Sequence, residues 1–115
     1  MPPTAEDRLR DILEAVAEIE DILRGTNFDR FASDRMTRLA TERLLEIICE
    51  ASRSIPGEMK QSTPAIDWRR LIDFGNVLRH AYHATNSEIV WDIVQNELPS
   101  LKSCVEAFIR TSDRS

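Results

Sequence analysis

The chain has 115 residues, of which 42% are hydrophobic and 30% charged, and its formal net charge is −5. This composition predicts one folded domain over residues 1–115 and excludes an intrinsically disordered chain. No apolar run reaches the roughly 20 residues that span a bilayer, and the N-terminus lacks the pattern of a secretory signal, so we expect a cytoplasmic protein without membrane contact.

The acidic net charge argues against broad electrostatic adhesion to nucleic acid. Arg69, Arg70 and Arg79 are close in sequence, however, and leave room for a local basic patch. Cys49 and Cys104 lack the spacing of metal ligands and lie in apolar helical contexts. They are predicted to be small buried hydrophobic residues, with a disulfide between them as the alternative.

The first helix is predicted to begin after Thr4, which forms a capping-box pattern with Asp7, and to end before Gly25. Its apolar residues recur at helical spacing: Leu9, Ile12, Leu13, Val16, Ile19, Ile22 and Leu23.

A short polar connection follows, in which Phe28 and Phe31 predict a single helical turn. Ser33 is predicted to cap the second long helix, and Pro56-Gly57 to end it. The apolar stripe predicted for that helix comprises Met36, Leu39, Ala40, Leu44, Ile47, Ile48, Ala51 and Ile55.

Asp67 is predicted to cap a third long helix, which runs from Trp68 to about His83. A fourth begins after Thr85 or Asn86, and Pro99 either kinks it or starts a second segment. Residues 112–115 are expected to fray. The pattern as a whole predicts an all-α, antiparallel bundle of four to five helices.

The third long helix carries an unusual polar stripe within the segment "DFGNVLRHAYH" at 73–83. At about 100° per residue, four polar side chains fall on one face, with Arg79 at its edge: Asp73, Asn76, His80 and His83. Gly75 and Tyr82 fall on the opposite, apolar face together with Leu71 and Leu78.

A polar stripe is ordinarily a solvated helix face, but this one contains neither Lys nor Glu. His80 is instead suited to general acid or base chemistry on an RNA phosphodiester, where the 2′-hydroxyl is an internal nucleophile. Arg79 or Asn76 would hold the phosphate. A metal shared by His80 and His83 is the weaker interpretation, and we predict no metal and no cofactor.

The chain resembles the HepT-like proteins of the HEPN superfamily of helical bundles. The resemblance covers nearly the whole chain and is carried by "RLRDILEAVAEIEDIL", "ERLLEIICEAS" and "IDWRRLIDFGNVLRHAYHATNSEIVWDIVQNELPSLKSCVEAFI". Its most specific parts are "NVLRHAY", "VWDIV" and "LPSL".

This resemblance implies a homodimer whose motif helices face each other across a cleft. It also implies a metal-independent endoribonuclease that cleaves RNA rather than DNA, and that acts as the toxin of a type VII toxin–antitoxin system. The antitoxin would be a minimal nucleotidyltransferase that can attach AMP to the motif tyrosine, here Tyr82. His80 would be the catalytic base or acid, Asn76 and Arg79 would hold the phosphate, and Asp73 and His83 would have supporting roles.

One position departs from the family motif, which is an Arg, four residues, a His, any residue and a Tyr. His80 and Tyr82 match, but Gly75 stands where the family has Arg. The alternative interpretation is therefore a non-catalytic bundle that still binds the nucleotidyltransferase, a nucleotide or RNA. Gly75 on an apolar face also predicts close approach by another backbone.

Overall fold

The computed structural model describes residues 4–80 and 86–114, and within these ranges it contains seven helices and no strand. The helices are α1 (Ala5–Leu23), α2 (Phe28–Ser33), α3 (Arg35–Arg53), α4 (Gly57–Gln61), α5 (Trp68–Arg79), α6 (Ser87–Asn96) and α7 (Leu98–Arg114). α1 packs against α3 and α7, and α3 also packs against α5. The predicted all-α bundle is confirmed.

Three of the predicted helix starts are confirmed by their capping hydrogen bonds. Thr4 forms the full capping box with Asp7. The side chain of Asp67 accepts a hydrogen bond from the backbone N–H of Arg70 at 3.0 Å, and Asn86 caps α6 in the same manner. These caps satisfy backbone donors that a helix start leaves without partners.

The predicted cap of α3 is wrong by one residue. Ser33 is the last residue of α2, where its hydroxyl donates to the carbonyl of Arg30 at 3.2 Å. Asp34 caps α3 instead and accepts from the backbone N–H of Thr37 at 3.2 Å, which lowers the pKa of its carboxyl group. A carboxylate is the stronger acceptor at the positive end of a helix, so α2 ends and α3 begins at Asp34.

Pro99 starts a second segment rather than kinking a continuous helix. It is the second residue of α7, where a missing N–H leaves no intrahelical bond unmade. α6 has already ended at Asn96. Helical backbone in α7 continues to Arg114, and fraying of residues 112–115 stays a prediction.

The apolar faces agree with the sequence in α1 but only partly in α3. In α1, Leu9, Ile12, Val16, Ile19 and Leu23 are buried, whereas Ile22 is 38% exposed. In α3 the predicted stripe is wrong at its beginning, since Met36 is 75% and Leu39 46% exposed. The buried residues of α3 are Thr41, Leu45, Ile48, Cys49, Ala51 and Ser52.

Both tryptophans have core roles, as expected for residues of their size. Trp68 is buried and donates its indole N–H to the Thr63 hydroxyl at 3.0 Å. Trp91 is half-buried and contacts the rings of Phe28 and Phe31, with centroid distances of 6.0 and 5.3 Å. The aromatic contacts hold α2 against α6.

Cys49 and Cys104 are free thiols; Cys49 is buried as predicted, whereas Cys104 is only half-buried. Burial, and then the charges of Glu46 and Glu50, raise the pKa of Cys49 to about 12. This thiol is therefore protonated at neutral pH and acts as a packing group. No helix in the described part of the chain is long and apolar enough to cross a membrane.

α3 and α5 approach each other closely at Gly75. A Cβ atom placed on Gly75 would lie 2.6 Å from the Cβ of Cys49, well inside van der Waals contact. Gly75 is buried, and its backbone conformation is helical. Glycine is therefore needed here because there is no room for a Cβ atom, and not because the φ angle is positive. The predicted close approach by another helix is confirmed.

The polar contacts on either side show that α3 and α5 run antiparallel. Glu50 pairs with Arg79, and Arg53 pairs with Asn76. As the position along α3 increases, the position of its partner along α5 decreases. Cys49, Glu50 and Arg53 therefore present one continuous edge of α3 to α5.

We expect Gly75→Ala to lower the free energy of unfolding by up to about 2 kcal/mol. Overpacking costs roughly 1–3 kcal/mol, and the better helix propensity of Ala returns up to about 1 kcal/mol. Urea unfolding measures the change. Gly57→Ala is the matched control, because nothing lies within 4 Å of the added carbon there.

The double variant Cys49→Gly/Gly75→Ala removes the Cys49 side chain from α3 and adds a Cβ atom to α5, so the two helices can keep their close contact. It should be more stable than the sum of the two single changes predicts. Additive effects would contradict a limiting contact at this point.

Candidate active site

The end of α5 carries the predicted site. α5 ends at Arg79 rather than at about His83, because His80 leaves helical geometry with φ −104° and ψ 10°. The backbone N–H of His80 still donates to the carbonyl of Asn76 at 3.3 Å. The imidazole is thus held one turn beyond Asn76, on a side chain that is exposed.

The structure places the described members of the polar stripe on one exposed face. Asp73, Asn76 and His80 are all exposed, while Leu71, Gly75 and Leu78 are buried against the core. The two faces that the helical wheel predicts are therefore confirmed for this part of α5. Tyr82 and His83 lie outside the described residues, so the predicted modification site and the second histidine stay predictions.

Each arginine of α5 pairs with a carboxylate. Arg69 lies 3.8 Å from Asp73, and Arg79 pairs with Glu50 of α3. Both pairs are exposed, where ion pairs contribute little to stability.

Arg70 connects α5 to α6 and to the residue before α7. Its guanidinium contacts Asp92 at 2.9 Å and Glu97 at 2.8 Å. The hydrogen bond from Arg70, followed by that from Asn96, holds the pKa of Asp92 below its usual value. The three arginines of α5 therefore do not form the local basic patch that the sequence allowed. Each of them is paired with a carboxylate of this chain.

Arg53 is a site residue that the sequence analysis missed. It is exposed at the last residue of α3 and donates from Nη1 to the Oδ1 atom of Asn76 at 3.0 Å. No local pattern signals this contact, because 23 residues separate the two positions and only the packing of α3 on α5 brings them together. A guanidinium therefore stands beside the Asn76–His80 face.

Lys60 of α4 adds a second cation near Arg53. It is half-buried, and its pKa is lowered first by burial and then by the charge of Arg53. The like charge opposes protonation, so the two side chains are close enough to repel. In the described ranges, neither Arg53 nor Lys60 forms an ion pair with a carboxylate.

A wide-open cleft of about 460 Å³ is lined by Asp73 of the polar stripe together with Arg69, Phe74 and Val77, but not by Asn76 or His80. A cleft of about 320 Å³ lies beside Arg79 and mixes acidic and basic walls, with Arg8, Arg43, Asp11 and Glu46 among its lining. A larger one, of about 650 Å³, lies between α1, α6 and α7 and contains no residue of α5. The polar stripe is thus an open surface, suited to an extended ligand or to coverage by another chain.

Within residues 4–80 and 86–114, no three His, Cys, Asp or Glu side chains are grouped to hold an ion. The exposed face carries the His80 imidazole and the Asn76 amide, with the Arg53 guanidinium beside them.

Comparisons with known proteins place the chain in a family. The family model described as "Ribonuclease HepT-like" matches residues 12–108. A probable ribonuclease HepT from Thermococcus cleftensis is 39% identical over 106 residues, covering 92% of this chain and 96% of that protein.

A second relative comes from Methanocaldococcus jannaschii. This putative RNase is 33% identical over 98 residues, covering 85% of this chain and 90% of its own length. No solved structure gives a significant match. The chain belongs to the HepT-like ribonuclease family.

Proposed function

We propose that this chain is an endoribonuclease that acts as the toxin of a type VII toxin–antitoxin system. The observation that carries the proposal is the exposed Asn76–His80 pair at the end of α5 in a member of a ribonuclease family. An imidazole and an amide one helical turn apart can reach the same phosphodiester. The relatives' descriptions as ribonucleases give the same reaction class.

In the proposed reaction His80 accepts the proton of the RNA 2′-hydroxyl, and the 2′ oxygen attacks the adjacent phosphorus. The bond to the 5′ oxygen breaks, and that oxygen takes a proton from water. The products carry a 2′,3′-cyclic phosphate and a 5′-hydroxyl. No protein nucleophile and no metal is needed in this scheme, because the nucleophile belongs to the substrate.

Asn76 and Arg79 hold the phosphate in this mechanism. The Asn76 oxygen already accepts from Arg53, which leaves the two Nδ2 hydrogens to donate to a phosphate oxygen. Arg79 pairs with Glu50, so it must exchange that carboxylate for the phosphate. Asp73 has a supporting role through Arg69, and His83 is proposed to support the site from the following segment.

We further propose that the protein works as a homodimer with the site in a cleft between subunits. An exposed apolar side chain beside the site supports this arrangement, since Val77 is 54% exposed next to Asn76. Burial of Val77 in a subunit interface would remove apolar surface from water. A second copy would also close the open face of α5 over an RNA strand.

The partner in this proposal is a minimal nucleotidyltransferase antitoxin that transfers AMP to the Tyr82 hydroxyl in the cytoplasm. Tyr82 is two residues beyond His80. A nucleotide attached there would add a negative charge and bulk beside the RNA-binding face. RNA would then be repelled from the site.

A non-catalytic bundle is the second candidate, and one observation favours it. Position 75, where the family motif has Arg, is occupied by a glycine whose added Cβ would meet Cys49 at 2.6 Å. No guanidinium can replace it without moving α3 from α5. If this guanidinium has no substitute, the protein would bind the nucleotidyltransferase or RNA without cutting.

We expect His80→Ala to abolish RNA cleavage and growth arrest while leaving the fold intact, because the exposed imidazole contributes little packing. Cleavage of total RNA by the purified protein, with end-group analysis, measures the effect. The 2′,3′-cyclic phosphate ends should disappear with the substitution. Undiminished cleavage by the variant, or 5′-phosphate ends from the wild type, would contradict the mechanism.

For the partner, we expect co-expression with the nucleotidyltransferase to add one AMP mass to the wild type and none to Tyr82→Phe. Intact-protein mass spectrometry reads the change. The Phe variant should also keep its toxicity in the presence of the partner. An AMP group on the Phe variant would place the modification on another residue.

A further inference from the structure

Arg53 is positioned by the same contact that brings α3 and α5 together. It lies one helical turn after Cys49, and its partner Asn76 directly follows Gly75. Residues four apart lie on the same face of a helix. The close approach at Gly75 therefore delivers the Arg53 guanidinium to the α5 face that carries His80.

The hydrogen bond to Arg53 also sets the orientation of the Asn76 amide. Because Oδ1 accepts from Arg53 at 3.0 Å, the Nδ2 hydrogens are directed to other acceptors. A guanidinium has five N–H donors, and one Arg53 donor is engaged by Asn76. Donors of both side chains thus remain for one anion, and His80 lies one turn further along α5.

The charges single out the same place. The three arginines of α5 have carboxylate partners, whereas Arg53 and Lys60 have none in the described part of the chain and oppose each other's charge. An anion at Arg53 gains charge-assisted hydrogen bonds. In a protein with a net charge of −5, this is a local positive site beside the proposed catalytic histidine.

We propose that Arg53 binds the RNA phosphate at the His80 site and replaces the guanidinium that is absent from position 75. This inference rests on the proposed ribonuclease function and names the residue that lets it operate without the family arginine. Arg53 contacts the phosphate and orients Asn76 toward it.

Arg53→Gln tests the proposal in two measurements on the full chain. Cleavage of total RNA should slow by about 10- to 100-fold, as expected for a lost charge-assisted hydrogen bond. Binding of a 20-nucleotide single-stranded RNA is measured by fluorescence anisotropy in a His80→Ala background. The slope of log affinity against log salt should fall by about 0.7, the value for one lost phosphate contact.

Arg35→Gln is the matched control, with the same chemical change on the same helix at an exposed position about 27 Å away along α3. It should leave the cleavage rate and the salt slope at wild-type values. Arg53→Lys should restore the slope but only part of the cleavage rate, because it keeps the charge and loses the planar donor fork. Circular dichroism and urea unfolding confirm that each variant is folded.

The outcomes separate this inference from the proposed function. If the wild type cleaves RNA and Arg53→Gln behaves like Arg35→Gln in both measurements, the Arg53 site is overturned and the ribonuclease proposal stands. If cleavage falls while the slope stays at the control value, Arg53 acts only on local structure and the phosphate contact is wrong. If the wild type neither binds nor cleaves RNA, both proposals fail.

Discussion

The contact between Gly75 and Cys49 is the constraint on which the rest of the site depends. Any side chain at position 75 would meet the Cβ of Cys49 and force α5 away from α3. With glycine there, the two helices approach closely enough for Glu50 to pair with Arg79 and for Arg53 to bind Asn76. One missing carbon atom therefore fixes the polar contacts on both sides of it.

The same contact explains how a protein with an acidic net charge could bind RNA, which is a polyanion. Arg69, Arg70 and Arg79 are matched by carboxylates of this chain, so they add little net positive field. Arg53 reaches the site from another helix and lies near Lys60. Binding through Arg53 would be local and would follow the salt concentration.

Local sequence patterns predicted much of the fold because they report short-range physics. The caps at Thr4 and Asp67 depend on residues three apart, and the polar face of α5 depends on helical spacing alone. The prediction that Ser33 caps α3 is wrong because the carboxylate of Asp34 beside it is a better hydrogen-bond acceptor. The apolar stripe predicted for α3 is wrong at Met36, which is exposed. Periodicity shows which face of a helix is apolar but not which other elements cover that face.

The site was only partly predictable for a similar reason. His80 and Asn76 share one helix, so the sequence could place them on one face. Arg53 is 23 residues from Asn76 and belongs to the site only through the packing at Gly75. The motif helix alone therefore shows that position 75 lacks an arginine. It does not show Arg53, which lies on α3 and which we propose as the replacement.

The most direct measurement of the central claim is a titration of the folded protein with 2′-O-methyl RNA, which can bind but lacks the attacking hydroxyl. Side-chain ¹⁵N–¹H resonances report the positions of contact. The account predicts that the signals of Asn76 Nδ2 and Arg53 Nε shift together with one binding constant while that of Arg35 stays in place. Saturable shifts confined to the cleft between α1 and α7, with Asn76 and Arg53 unchanged, would contradict it.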